Sequence, residues 1–113
     1  MYQVRFSSEA HADIKALPKS IRNSLKKELM KLAADPVNLS LELREPLQGF
    51  RSYHWRNYRV VFIVSAELKS IAIAAVGKRI PGTHADVYRK LEQLAREGKL
   101  AEQLLSALRR FIG

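Results

Sequence analysis

Val60 to Val64 reads V-V-F-I-V, five consecutive bulky apolar residues bounded by Arg59 and Ser65. The run is too short for a stable helix and has the length and β-branched content of a buried strand. It lies in the middle of a longer stretch, Leu47 to Arg79, in which Phe50 to Arg56 alternates and Ser70 to Lys78 is again apolar. Turn regions at Asn57-Tyr58 and at Ala66 to Lys69 separate the three segments, so the stretch predicts a three-stranded meander. Arg51, His54, Arg56, Arg59, Lys78 and Arg79 stand at or near the ends of these apolar segments. A rigid sheet with cations gathered at its ends suits a phosphate-bearing partner.

The flanking segments predict what packs on that meander. Tyr2 to Phe6 alternates with period two and reads as a half-buried strand. Ser7 or Ser8 can cap a helix that places Ala10, Ile14 and Leu17 on one face, with Pro18 ending it or opening the next. A second helix, about Ser20 to Ala34, carries Ile21, Leu25, Leu29 and Leu32 as its apolar stripe. Its opposite side, with Arg22, Lys26, Lys27 and Lys31, reads as a solvated face. Asp35-Pro36 stops it, and residues 36–49 read as a loop with a short apolar piece, Leu39 to Leu43. In the first meander strand, alternation puts Ser52, His54 and Arg56 on one face, looking outward. Tyr53 and Trp55 fall on the other, toward the helices. Ile80 to Thr83 breaks the pattern. From Ala85 it is helical again, with stripes at Val87, Leu91, Leu94 and Ala95, then, past Gly98, at Leu100, Leu104, Leu105, Leu108, Phe111 and Ile112.

These segments predict a single α+β domain over residues 1–113, with a core over about 1–92 and a C-terminal helical extension over about 93–113. The expected fold is an antiparallel sheet of about four strands, in the order β-α-α-β-β-β-α, packed against an N-terminal helical hairpin. The last helices can cap this core or offer an interface. No apolar stretch approaches the ~20 residues of a membrane span, and no signal peptide is visible. No cysteine is present, which excludes disulfides and thiolate metal sites and fits the cytoplasm. The His, Asp and Glu residues show no metal-site spacing, so neither metal nor cofactor is expected. Twenty Lys and Arg against eleven Asp and Glu leave a net charge of +9, which favours a polyanionic or acidic partner.

The order of elements, with Leu47-x-Gly49, Tyr58-Arg59-Val60-Val61-Phe62, Val76-Gly77-Lys78-Arg79 and the later Tyr88, resembles the RelE/ParE family of toxins from type II toxin–antitoxin pairs. The resemblance covers about residues 2–92. It implies a toxin held inactive by an acidic antitoxin in a hetero-oligomer. RelE-like members cleave messenger RNA on the ribosome; ParE-like members inhibit DNA gyrase without chemistry. Arg59 and Arg79 match the phosphate-binding arginines of the RelE-like nucleases, and Tyr88 matches their late tyrosine. Ser52 and His54 stand where that pattern has two basic residues.

RNA cleavage without a metal needs a base for the ribose 2′-hydroxyl, cations for the charge on phosphorus, and a proton for the departing 5′-oxygen. Histidine titrates near neutrality and can act as base or acid. Arginine presents a permanently charged fork that matches phosphate oxygens. The expected catalytic set is therefore His54, Arg59, Arg79 and Tyr88, with Tyr88 positioning the nucleotide or donating a proton. Arg51, Arg56 and Lys78 are expected to bind flanking RNA phosphates. Such a protein is an mRNA interferase working on mRNA and ribosome; the alternative is the ParE-like gyrase inhibitor. His11 and His84 are read as non-functional.

Overall fold

In a computed structural model, the backbone is described for residues 1–112, and side chains for all of these except 106 and 108–112. The elements are β1 (Gln3–Phe6), α1 (Ser8–Lys15), α2 (Lys19–Ala34), β2 (Leu41–Glu42), β3 (Arg51–Trp55), β4 (Tyr58–Ser65), β5 (Ser70–Lys78), α3 (Val87–Arg96) and α4 (Lys99–Ile112). The α+β class holds, with a five-stranded sheet in place of about four, ordered β1-β5-β4-β3-β2. The added strand is β2, a two-residue edge pair inside the segment expected to be a loop. The sheet is also not wholly antiparallel. After the helical hairpin the chain re-enters at the far edge, and the meander β3-β4-β5 walks back until β5 runs parallel beside β1. Alternation identifies a strand and its buried face; it carries nothing about the direction of its neighbour.

β1 ends at Phe6 while β5 continues to Lys78, which would leave β5 with an unpaired edge. α1 covers it. The Ser7 N–H donates to the Ile73 carbonyl at 2.9 Å, and Ser7 Oγ donates to the Ala74 carbonyl at 2.9 Å. The same hydroxyl accepts from the Ala10 N–H at 3.0 Å and so caps α1. One turn on, Asp13 Oδ2 accepts from the Val76 N–H at 3.0 Å. Backbone groups on a sheet edge are costly to leave unpaired, and these contacts satisfy them.

Helices cover both faces. On one, Leu25, Leu29 and Leu32 of α2, with Ala10, pack on Val60, Phe62, Ile71, Ile73 and Val76. Tyr53 and Trp55 join this cluster, as alternation implies. On the other, Val87 and Leu91 of α3 and Leu100 of α4 pack on Val61, Ala74 and Ala75, with Leu47 and Phe50. This explains the run at 60–64: Val60 and Phe62 fill one core and Val61 the other, so no position in it is left to be polar. Burying a side chain such as Phe62, Ile71 or Leu91 contributes about 1.5–3 kcal/mol each.

The face of Ser52 and His54 does not look outward throughout. Ser52 is 1% exposed because Tyr88 of α3 lies over it. Helix α3 reaches β5 closely at Gly77, where an added Cβ would lie 3.2 Å from Val87 Cβ. The C-terminal helices pack on the rest of the chain: Leu100 and Ala107 are buried, α4 packs on β5, β1, α3 and α1, and Gln103 Oε1 accepts from the Glu9 N–H. Leu105 of the expected second stripe is exposed, and the side chains of Leu108, Phe111 and Ile112 lie outside the described residues. Among the described residues, no helix is long and apolar enough to cross a membrane.

Candidate functional site

The β3–β4 register sets His54 directly opposite Arg59, both on the face covered by α3. Tyr88, in the first turn of α3, reaches down onto β3. Its hydroxyl is 2.7 Å from Ser52 Oγ and 3.4 Å from His54 Nε2. If Ser52 donates to Tyr88, the tyrosine hydroxyl is free to donate to the imidazole. Arg79 follows β5, and its N–H donates to the Asn57 carbonyl at 2.7 Å, which ties the strand end to the β3–β4 turn. Its guanidinium lies 4.8 Å from the centre of the Tyr88 ring. The structure thus brings together His54, Arg59, Arg79 and Tyr88, and adds Ser52.

Asp86 holds this arrangement and was not singled out from the sequence. It is 2% exposed. Its carboxylate accepts from Arg79 Nη1 at 2.5 Å, from the Ile80 N–H at 2.6 Å and from the Arg89 N–H at 3.4 Å, the last as N-cap of α3. Burial pushes its carboxyl up, but the Arg79 and Ile80 hydrogen bonds outweigh that and hold it below the usual carboxylate range. Arg79 is in turn held above the usual arginine value by the hydrogen bond to Asp86. An Asp just before a helical stripe is an N-cap signal that the sequence does carry; its second partner, Arg79, is visible only in three dimensions.

His54 is shifted down, first by burial and then by the neighbouring Arg59 charge. Both influences favour the neutral imidazole, the form that can accept a proton. Arg59 Nη1 donates to the carbonyls of Tyr58, at 2.9 Å, and Arg56, at 3.3 Å. Its buried Nε has no hydrogen-bond partner. A buried donor of this kind is costly to leave unmet.

The three residues expected to hold flanking phosphates lie elsewhere. Arg51 is on the opposite face, where it donates to Ser40 Oγ at 2.7 Å and to the Val37 and Ser40 carbonyls at 3.0 and 3.1 Å. It braces the segment before β2. Arg56 does not continue the alternation of Ser52 and His54; β3 ends at Trp55, Arg56 takes φ 55°, and its guanidinium covers the Trp55 ring at 4.8 Å. Lys78 sits over the Tyr58 ring at 5.9 Å, again on the far face. In their place, Arg44 and Arg89 stand near Arg79. With Tyr88, Thr83 and Glu92 they line an open cleft of about 470 Å³ between the 43–47 and 80–86 loops. Among the described residues no group of three or more His, Cys, Asp or Glu could hold a metal ion.

A small basic α+β domain, with helices on both faces of a mostly antiparallel five-stranded sheet, is the architecture of a toxin domain from a toxin–antitoxin pair. Residues 4–79 match the family model described as the ParE toxin of the type II toxin–antitoxin system parDE. The chain belongs to the RelE/ParE superfamily and is a toxin of a type II toxin–antitoxin system. Among solved structures, it is similar to the toxin–antitoxin complex RelBE2 of Mycobacterium tuberculosis, with 28% identity, TM-score 0.66, and 69% of this chain and 98% of that chain covered. It shares its fold with the intact E. coli RelBE complex, at 24% identity, TM-score 0.58 and coverage of 69% and 96%. The archaeal RelE–RelB complex of Pyrococcus horikoshii OT3 gives 22% identity, TM-score 0.57 and coverage of 72% and 98%. No curated protein matches.

Proposed function

We propose that this toxin is a metal-independent endoribonuclease that cuts messenger RNA on the ribosome and so stops translation and growth. The observation that carries the reading is the Ser52–Tyr88–His54 chain of polar groups lying between Arg59 and Arg79. Neutral His54 takes the proton of the ribose 2′-hydroxyl. The 2′-oxygen attacks phosphorus and the bond to the 5′-oxygen breaks, leaving a 2′,3′-cyclic phosphate and a 5′-hydroxyl. Tyr88 gives its proton to the departing oxygen and recovers it from His54, its neighbour at 3.4 Å. Arg59 and Arg79 meet the charge that builds on the phosphoryl oxygens. Arg79 gives only Nη1 to Asp86, which leaves further donors for phosphate. The acid–base pair is asked for about 10²–10⁴ in rate and each well-aimed donor for about 10²–10³.

Its partner is an acidic antitoxin, as the net charge of +9 favours and as the three similar structures, all toxin–antitoxin complexes, support. Induction of the toxin alone, with 5′-end mapping of cellular mRNA, tests the reading. New 5′-hydroxyl ends that vanish in His54→Ala and Arg79→Ala support it. Growth arrest that survives both substitutions with uncut messages would reject it. A second reading, inhibition of DNA gyrase without chemistry, is favoured by the ParE description of the matching family. It predicts filamentation and DNA damage with intact messages.

A further inference from the structure

We propose that the cleft beside Arg79 is a nucleotide subsite, occupied by the residue of the RNA next to the cut, and that it discriminates against uridine. This rests on the nuclease reading above. The cleft's volume of about 470 Å³ is within the ~300–1,000 Å³ of small-ligand sites and suits one nucleotide rather than a helix. Arg79 and Tyr88 line it, so a strand whose phosphate lies between Arg59 and Arg79 has a path into it. The ring of Tyr88 offers a stacking surface for a splayed base, the usual mode of reading single-stranded RNA.

Two further cations complete the backbone path. Arg44 and Arg89 are both exposed and, among the described residues, neither forms an ion pair. One comes from the loop before β3 and the other from the first turn of α3; both line the cleft, whose wall also carries Glu45 beside Arg44. Each is placed to hold the phosphate on the far side of the bound nucleotide. The wall also contains Glu92, half-buried, one turn beyond Tyr88 on α3. A carboxylate there is wrong for phosphate and right for a base edge that donates. Adenine, cytosine and guanine each present an exocyclic amine. Uracil presents one N–H between two carbonyl oxygens, whose lone pairs oppose a carboxylate. Glu92 is thus a specificity residue, while Arg44 and Arg89 are affinity residues.

The test is single-turnover cleavage on ribosomes programmed with short mRNAs that differ at one nucleotide beside the cut. The wild type, Arg44→Ala/Arg89→Ala, Glu92→Gln and Lys26→Ala/Lys27→Ala are compared; the last removes equal charge from the solvated face of α2. Expected for the double arginine variant is a tenfold or greater rise in the toxin concentration giving half-maximal rate, with the saturated rate within twofold of wild type and the lysine variant unchanged. Glu92→Gln should keep its rate on adenosine and cut the uridine substrate at least fivefold better than wild type does. Equal weakening by the arginine and lysine pairs reduces the cleft to bulk charge and overturns the subsite. An unaltered uridine ratio in Glu92→Gln overturns the base contact. A wild type that cuts none of the substrates rejects the nuclease reading itself, and the subsite with it, by a different signature.

Discussion

Arg79 and Asp86 meet at 2.5 Å between the end of β5 and the start of α3, the carboxylate buried and the guanidinium 36% exposed. The pair joins the two elements that carry the candidate site. The same carboxylate caps α3, so one residue sets both where Arg79 points and where Tyr88 begins its descent onto β3.

Asp86→Ala should therefore act twice. Loss of the cap and of a buried acceptor is expected to lower stability by about 2–4 kcal/mol, read by urea unfolding. Asp86→Asn keeps the cap but not the charge, and should lose no more than about 1 kcal/mol while weakening growth arrest. Equal stability of the alanine variant and wild type would show that the pair holds nothing together.

The Ser52–Tyr88 contact invites a double-mutant cycle. Tyr88→Phe keeps the ring beneath Arg79 but leaves the buried Ser52 hydroxyl without its partner, for a loss of about 1–2 kcal/mol. Ser52→Ala added to it should recover most of that stability, because both polar groups are then gone. With Tyr88 as the proposed proton donor, cleavage should fall about 10²–10³-fold in either tyrosine variant and stay down. Recovery of activity with the second substitution would exclude Tyr88 as the donor.

For His54 the sign follows from its lowered value. Burial and Arg59 disfavour the imidazolium in the fold, so the unfolded chain takes up this proton first as pH falls below about 6.5. His54 thus favours the folded state above that pH and loses this contribution as pH falls through its folded value. The cleavage rate should rise with pH up to a midpoint below 6.5 and be flat at neutrality. Arg59→Ala should move the midpoint up, and a midpoint that ignored Arg59 would break their coupling.

Asp13 behaves in the opposite sense. Burial is the largest influence and raises its carboxyl to about 6, against the pull of the Val76 N–H. A raised folded value means that stability is fully present below the unfolded value near 3.9 and is lost as pH rises through about 6. Asp13→Asn keeps an acceptor for Val76 without the buried charge. It should gain about 1–2 kcal/mol at pH 8, allowing for partial exposure, and little at pH 3.5. Thermal unfolding of both proteins at the two pH values measures it; an equal difference at both would deny the shift.

Much of the fold was legible because it is local. Helices α1 and α2 announce themselves by apolar residues at helical spacing and by Ser7 and Pro18 at their starts; observed and expected limits of α2 differ by one residue. The meander was legible because β3 to β5 are near in sequence and joined by short turns. Of the candidate site, His54, Arg59, Arg79 and Tyr88 came from a family resemblance, and their convergence supports the choice without establishing their roles. Asp86 carried no more than an N-cap signal, and Arg44 and Arg89 gave none, because a charged residue in a loop or on a helix reads the same whether it faces a cleft or open solvent.

The sequence by itself determined the four longer strands, the helical stripes, the basic balance and the likeness to a toxin family. It could do so because each depends on spacing within a few residues. Only the tertiary structure decided which cations share a face. Period two relates residues within one strand, but β5 carries a register shift: Val61 pairs with Ala75 and Phe62 with Ile73, so Ala74 is an extra residue. Ala74 and Ala75 both fall to the α3 side, Val76 returns to the α2 side, and Lys78 follows it. One inserted residue thus sends Lys78 away from His54, while Tyr88, 34 residues further along the chain, is brought to His54 by the packing of α3 on Gly77.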